Sequence, residues 1–182
     1  MLIRVVFLYY LFFSTIIYSQ SARINEISAS NTVFFDEDGD TPDWIIYKRR
    51  SGGTRDWIVF HQSTGSKGMI LNSTSAGDTA SSIFGGNLPT STTIPVGYAT
   101  ETNTNGESHI AYAFAEKQGY SKFGSYTGNG NADGPFIYLG FKPKYFLLKN
   151  TAATQNWYVF DTARDTHNPS NSAMQVSGNS AE

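Results

Sequence analysis

The chain has 182 residues, with 13 Lys and Arg, 15 Asp and Glu, a formal net charge of -2 and no cysteine. The near-neutral charge excludes strong binding to nucleic acid, which requires clustered Lys and Arg. The absence of cysteine excludes disulfides, thiolate catalysis and cysteine-ligated metal sites. Aromatic residues make up 15% of the chain, which argues against a disordered protein, and the length fits one ordinary domain.

The N-terminal segment differs in composition from the rest of the chain. Arg4 is its only charged residue, and an apolar run extends from Val5 to Ile17 before Tyr18-Ser19-Gln20. A basic start, an apolar run of roughly 7–15 residues and a small residue at its end are typical of a secretory signal peptide. We predict a signal helix over residues 1–19, cleaved after Ser19, with no membrane span in the mature chain. A retained membrane anchor and a buried apolar strand are the alternatives.

Residues 20–41 form the next predicted unit. The sequences INEISASN at 24–31 and DEDGDTPDWI at 36–45 resemble the opening of a bacterial lamin-tail-like domain. The resemblance implies an immunoglobulin-like sandwich on a secreted or surface protein. It ends where Ile46-Tyr47-Lys48-Arg49-Arg50 stands in place of the acidic residue that the family has there, so we expect only a fragment of that domain.

A second pattern begins at Pro42 and recurs after about 100 residues, the length of a whole domain. PDWIIYK at 42–48 is matched by PKYFLLK at 143–149, and DWIVFH at 56–61 is matched by NWYVFD at 156–161. We therefore predict an incomplete tandem duplication, with a first β repeat over residues 42–116 and a second over 117–182. The second copy lacks counterparts of residues 78–116, so we expect a truncated C-terminus.

Runs of β-branched and aromatic residues recur between clusters of Gly, Asn, Ser, Thr and Pro, and no helical periodicity follows residue 20. The pattern predicts an all-β fold, an antiparallel β-sandwich. The predicted strands are Trp44–Lys48, Trp57–His61, Gly68–Asn72, His109–Ala115, Lys122–Thr127, Phe136–Tyr138, Tyr145–Lys149 and Asn156–Asp161.

Residues 42–182 carry a second resemblance. FAE at 114–116, YTGNG at 126–130, GFKP at 140–143 and WYVFD at 157–161 are similar to an uncharacterised repeat domain of marine-phage virion and tail-fibre proteins. The resemblance implies a component of a particle surface, whose partners are other virion or tail subunits or a cell-surface glycan. A signal peptide conflicts with a purely phage origin, because phage structural proteins assemble in the host cytoplasm. We expect a fusion of two sources, whether natural, an assembly chimera or artificial.

Alternating carboxylates offer the one candidate metal site. Asp36, Asp38 and Asp40 could supply oxygen ligands to calcium from a loop. The EF-hand pattern is not met, since Gly39 stands at the fourth loop position rather than the sixth and no Glu follows at the twelfth. A solvated acidic turn is the alternative, and we expect no other cofactor.

Aromatic side chains are the remaining binding candidates. Trp44, Tyr47 and Trp157 could stack on sugar rings, although a place in the core is the favoured alternative. The histidines His61, His109 and His167 and the basic cluster at Lys48-Arg49-Arg50 and Arg55 fit ordinary polar positions better than catalytic or anion-binding ones.

We predict no catalytic residue in the chain, and we consider three candidate functions. The first is a non-enzymatic virion module of tail-fibre type, structural or surface-presenting, with weak glycan or receptor contact. The second is a secreted bacterial cell-surface or adhesion protein. The third is a glycan-active enzyme. The corresponding locations are the virion surface or the extracellular space.

Overall fold

A computed structural model describes residues 39–77, 82–167 and 170–178, and the backbone of residues 2–7. The predicted all-β fold is confirmed, because these residues form strands, one 3-10 turn at Gln62–Thr64 and no α-helix. The strands are β1 Leu2–Phe7, β2 Trp44–Arg49, β3 Trp57–His61, β4 Gly68–Ile70, β5 His109–Phe114, β6 Lys122–Thr127, β7 Tyr145–Asn150, β8 Trp157–Asp161 and β9 Met174–Gln175.

The strands form two sheets in which every neighbouring pair is antiparallel. The first sheet has the order β4-β3-β2-β5 and the second has the order β6-β1-β7-β8-β9. The chain passes from the first sheet to the second between Phe114 and Lys122, where Lys117 and Ser121 form an isolated bridge. The predicted antiparallel sandwich is therefore present.

The two sheets pack face to face through one apolar layer, the inner core. Successive side chains of a strand point to opposite faces, so each strand contributes alternate residues to this layer. The buried members come from both sheets: Trp44, Val59 and Met69 from the first, and Phe123, Leu147, Trp157 and Val159 from the second.

The opposite face of the first sheet is also buried, in what we term the outer core. Its cover is the segment 82–103, which forms no strand but contributes Ile83 and Phe84. Phe84 packs its ring against Tyr47 at 5.5 Å and Phe60 at 5.7 Å between centroids. The first sheet is thus buried on both faces: its outer-core residues are Ile45, Tyr47, Ile58, Phe60 and Ala111.

The units β2-β3-β4 and β7-β8-β9 share side-chain contacts as well as strand order. Lys48 lies over the Trp57 ring at 5.1 Å, and Lys149 lies over the Trp157 ring at 5.9 Å. Each ammonium also donates to a backbone carbonyl of the following hairpin loop, at Arg55 and Gln155 respectively. Lys48 and Lys149, which hold equivalent positions in the two units, therefore make the same two kinds of contact.

Two of the sequence expectations differ from the structure. Phe136–Tyr138 forms no strand, and its three residues are exposed. Leu2–Phe7 is a strand between β6 and β7 rather than part of a helix, because its backbone pairs with both neighbours. Most of the predicted signal segment, residues 8–19, and most of the lamin-tail-like fragment, residues 20–38, lie outside the described residues.

Candidate interaction surface

The three aromatic residues predicted to stack on sugars lie in the core. Trp44, Tyr47 and Trp157 are 2%, 3% and 1% exposed. The Trp44 and Trp157 rings meet edge to face at 5.8 Å, and the Tyr47 hydroxyl donates to the carbonyl of Pro95 at 3.0 Å. Because no ring face is open to solvent, the structure corrects the stacking prediction in favour of the core alternative.

The acidic candidates are only partly described. Asp36 and Asp38 lie outside the described residues, whereas Asp40 forms an ion pair with Lys117. In the ranges that the structure describes, no group of three or more His, Asp or Glu could hold a metal ion. Calcium binding at Asp36, Asp38 and Asp40 stays a prediction.

The charged groups beside Asp40 line the junction of the two sheets. Lys122 pairs with Glu116, and the Glu116 backbone N–H donates to Asp43 Oδ2 at 2.7 Å. Burial raises the pKa of the Asp43 carboxyl above its ordinary value, and the Glu116 N–H opposes this. These contacts hold the chain where it leaves the first sheet, so their role is structural.

Two of the histidine and basic candidates are buried in the fold, whereas Arg50, Arg55 and His167 are exposed. His61 is buried, and its Nδ1 accepts from the Ser63 N–H at 3.1 Å. Arg49 is buried, and its Nη1 donates to Thr104 Oγ1 at 3.1 Å. The predicted basic cluster therefore does not form one open cationic patch.

Exposed aromatic side chains occur instead in the connection between β6 and β7. Phe136 is 90% exposed and Tyr138 is 78% exposed, with Ile137 between them at 38%. Both β6 and β7 are antiparallel to β1, so they run parallel to each other and residues 128–144 must return from one end of the sheet to the other. We call these residues the aromatic crossover.

The start of the aromatic crossover is a hydrogen-bonded turn. The Asn131 N–H donates to Asn129 Oδ1 at 3.0 Å, and Asn129 Nδ2 donates to the Asp133 carbonyl at 3.1 Å. Gly130 has a φ of 73°, which suits glycine. The turn fixes the direction in which the chain leaves β6, before it reaches Phe136 and Tyr138.

A second exposed apolar group lies on the segment that covers the outer core. Leu88, Val96 and Tyr98 are exposed, although neighbouring backbone is firmly held: the Gly97 N–H donates to the Ile83 carbonyl at 2.8 Å. Exposed large apolar groups on an otherwise well-packed scaffold are typical of contact surfaces. The aromatic crossover, whose three exposed apolar residues are consecutive, is therefore the candidate interaction surface.

The exposed residues were not predicted as a site. The run Phe136-Ile137-Tyr138 was assigned to a strand because its residue types favour strands. Pro135 before it and Gly140 after it are the features that could have indicated a loop. Leu88 and Tyr98 carry no comparable pattern.

Fold and surface together define an all-β protein of two packed antiparallel sheets with exposed aromatic loops. The DUF7483 family, described as a domain of unknown function, matches residues 16–182, so the chain belongs to this family. No curated protein and no solved structure matched the chain. Within the described residues, no helix is long and apolar enough to cross a membrane.

Proposed function

We propose that this chain is a non-enzymatic virion module of tail-fibre type, which presents the aromatic crossover to a cell-surface glycan or to a neighbouring subunit. The observation that carries the proposal is the exposure of Phe136 and Tyr138 on a loop of a two-sheet sandwich. The sequence similarity of residues 42–182 to phage particle-surface repeats supports the virion assignment.

The chemistry of the aromatic crossover favours contact with a partner surface. Aromatic rings provide large apolar faces that stack on sugars or pack in protein interfaces, and few of their torsions must be fixed on binding. The flanking sequence is rich in Gly and Asn, which permit tight turns and supply polar groups.

A secreted bacterial surface or adhesion protein is the second candidate. The observation that favours it is the pattern of residues 1–19, with Arg4 before an apolar run and Ser19 after it. In this case, too, the aromatic crossover would be the contact surface, so the two candidates differ in location rather than in the residues used.

Location can be tested by mass spectrometry on two samples from the source organism: purified phage particles and the washed cell surface. Peptides of this chain in particles that band at the phage density would support the virion assignment. Peptides found only at the cell surface, with an N-terminus at Gln20, would replace it with the second candidate.

Contact through the aromatic crossover can be tested with a glycan array and a whole-cell binding assay. We expect the double variant Phe136→Ala/Tyr138→Ala to lose binding by tenfold or more. Tyr98→Ala is the matched control, because Tyr98 is equally exposed, at 79%, on a different segment. Equal binding by the wild type and the double variant would refute the proposed contact surface.

A further inference from the structure

Strand β1 occupies the same place in the second sheet that β5 occupies in the first. In the first sheet, β5 lies antiparallel to β2, with His109 opposite Arg49. In the second sheet, β1 lies antiparallel to β7, with Ile3 opposite Asn150. Arg49 follows Lys48 and Asn150 follows Lys149, and these two lysines hold equivalent positions in the units β2-β3-β4 and β7-β8-β9. Ile3 therefore corresponds to His109.

The other edge of β1 is paired as well. All six residues of Leu2–Phe7 lie opposite residues of β6, and five of them lie opposite residues of β7. Without this strand, the backbone edges of β6 and β7 would both lose their partners, and unpaired edges readily accept an extended chain. The second sheet thus contains a slot one strand wide.

The segment that fills this slot lies outside the family domain. The family match begins at residue 16, whereas β6, β7, β8 and β9 all lie inside it. The residues that belong to the domain therefore build both walls of the slot, and a segment from outside the domain fills it.

We propose that the slot between β6 and β7 is an acceptor site for an extended β-strand from outside the family domain, placed as His109–Phe114 is placed in the first sheet. In this chain Leu2–Phe7 occupies the site, and when it is absent an extended segment of another protein chain takes its place. Both walls of the site lie in β6 and β7, so a secreted chain that begins at Gln20 would keep the site and lack Leu2–Phe7.

The first sheet indicates what the donated strand should look like. There Ala111 and Ala113 face the outer core, and Phe114 packs on the inner core. A suitable donor is extended over about six residues and runs antiparallel to both walls. Leu2–Phe7 shares this register but not the residue sizes of β5, because Val5 and Phe7 stand where β5 has Ala111 and Ala113. A shift by one residue would reverse the two faces.

Register can be tested in the full chain with two grafts. In one, residues 2–7 carry SHIAYA, the sequence of 108–113, which restores the repeat register; in the other they carry HIAYAF, the sequence of 109–114, which is shifted by one. We expect the first graft to keep the wild-type urea midpoint and the second to lower it by about 1 M. Equal midpoints, or a higher midpoint for the shifted graft, would overturn the assigned register.

Acceptance of a strand in trans can be tested by disulfide trapping, which is clean because the chain has no cysteine. The acceptor is a full chain with Val5→Pro, since proline removes one N–H from the centre of β1. The donor is the peptide of residues 108–115 with Ala111→Cys. In the repeat register its cysteine lies opposite position 124, because Val5 lies opposite Gly124.

We expect at least tenfold more trapping by Gly124→Cys than by the matched variant Ser125→Cys, and little trapping by the same Gly124→Cys in a chain that keeps Val5. Trapping of equal extent at positions 124 and 125, or none at either, would overturn acceptance in trans. The two grafts need no peptide, so they decide the register even if Val5→Pro does not fold. No readout here involves a glycan or a particle, so failure of this proposal is distinct from failure of the proposed function.

Discussion

The rings of Trp44 and Trp157 meet edge to face, 5.8 Å apart and at 81°. Trp44 belongs to the first sheet and Trp157 to the second, and Trp157 Nε1 also donates to the carbonyl of Ile70 at 2.8 Å. Further cross-links between the sheets come from Gln62 Nε2, which donates to the Phe123 carbonyl at 3.1 Å. The sheets therefore share one core, and we expect them to unfold together.

Replacing Trp157 should destabilise the protein more than replacing its repeat counterpart. Trp157→Phe loses the hydrogen bond to Ile70 and leaves a gap in the inner core, a cost of about 1–3 kcal/mol. Trp57→Phe is the matched control, because Trp57 is only partly buried, and we expect a smaller loss. Urea unfolding at equilibrium measures both, and equal losses would contradict the role of Trp157.

Replacement by alanine should destabilise the protein strongly at a core aromatic residue and hardly at all at an exposed one. Phe84→Ala removes a fully buried ring that contacts Tyr47 and Phe60, and should cost about 3–5 kcal/mol. Phe136→Ala, at an exposed position, should change stability by less than about 0.5 kcal/mol. Thermal unfolding of the two variants checks this, and a large loss in Phe136→Ala would show that its ring is packed in solution.

Lys149 should make the free energy of unfolding depend on pH in the alkaline range. Burial lowers the pKa of its ammonium from 10.5 to about 8. The folded protein then holds fewer protons than the unfolded chain between these values, so the unfolding free energy rises with pH, by at most about 1.4 kcal/mol per unit. Lys149→Met should lack this rise.

The contribution of Lys149 to the pH dependence of unfolding should be measured between pH 8 and pH 10. Above it, Tyr47 acts in the opposite direction, because burial raises the pKa of its hydroxyl above 10.0 and the associated stability is lost as pH rises. Urea unfolding of the wild type and Lys149→Met at several pH values gives the two profiles. Parallel profiles would contradict the buried position of the ammonium.

Asp43 should make the opposite contribution at acidic pH. Its pKa is raised above 3.8, mainly by burial. The stability linked to its proton is therefore complete below 3.8 and is lost as pH rises through the higher value. Relative to Asp43→Asn, the wild type should lose stability as pH rises above 3.8 and through the raised pKa. Unfolding of both proteins followed upward from pH 3.8 checks the sign.

Asp43→Ala separates the hydrogen bond from the charge. Asparagine keeps an acceptor for the Glu116 N–H, whereas alanine leaves that N–H without one. We expect Asp43→Ala to be less stable than Asp43→Asn by about 1 kcal/mol. Equal stability of the two variants would show that the bond at 2.7 Å contributes nothing.

Gly97 should tolerate no side chain. A Cβ there would lie 1.9 Å from the Ser82 carbonyl oxygen and 2.6 Å from the Gly85 nitrogen, both backbone atoms. Gly97→Ala should therefore displace the segment that covers the outer core, with a loss of about 2–4 kcal/mol. Gly124→Ala is the control, since no described atom lies within 4 Å of the position that a Cβ would take there. Similar stability of the two variants would contradict this close approach.

The strands were predictable where their signal is local. Trp57–His61 and Lys122–Thr127 have the bounds that their apolar and aromatic runs indicated. Phe136–Tyr138 has the same residue types but no pairing strand, and strand formation depends on a partner as much as on residue type. The short β9 at Met174–Gln175 was not predicted, because two residues carry too little pattern.

The candidate surface was harder to predict than the fold. Whether an aromatic residue lies in the core or at the surface depends on which segments cover each face of a sheet. The cover formed by Ile83 and Phe84 buries Tyr47, yet no periodic pattern marks residues 82–103. For Trp44 and Trp157 the core was favoured but stacking on sugars stayed open for the same reason, since only the packing of the two sheets hides their rings.

The passage of the chain from Phe114 to Lys122 also determines how the molecule carries mechanical load. A pull that separates the sheets is transmitted along the backbone into β6, whose six residues are all paired with β1. Force directed along the strand loads these hydrogen bonds together, in shear, rather than one after another as in unzipping. The pairing of β6 with β1 is therefore one of the places where the molecule resists stretching, and a strand that fills this position carries load as well as completing the sheet.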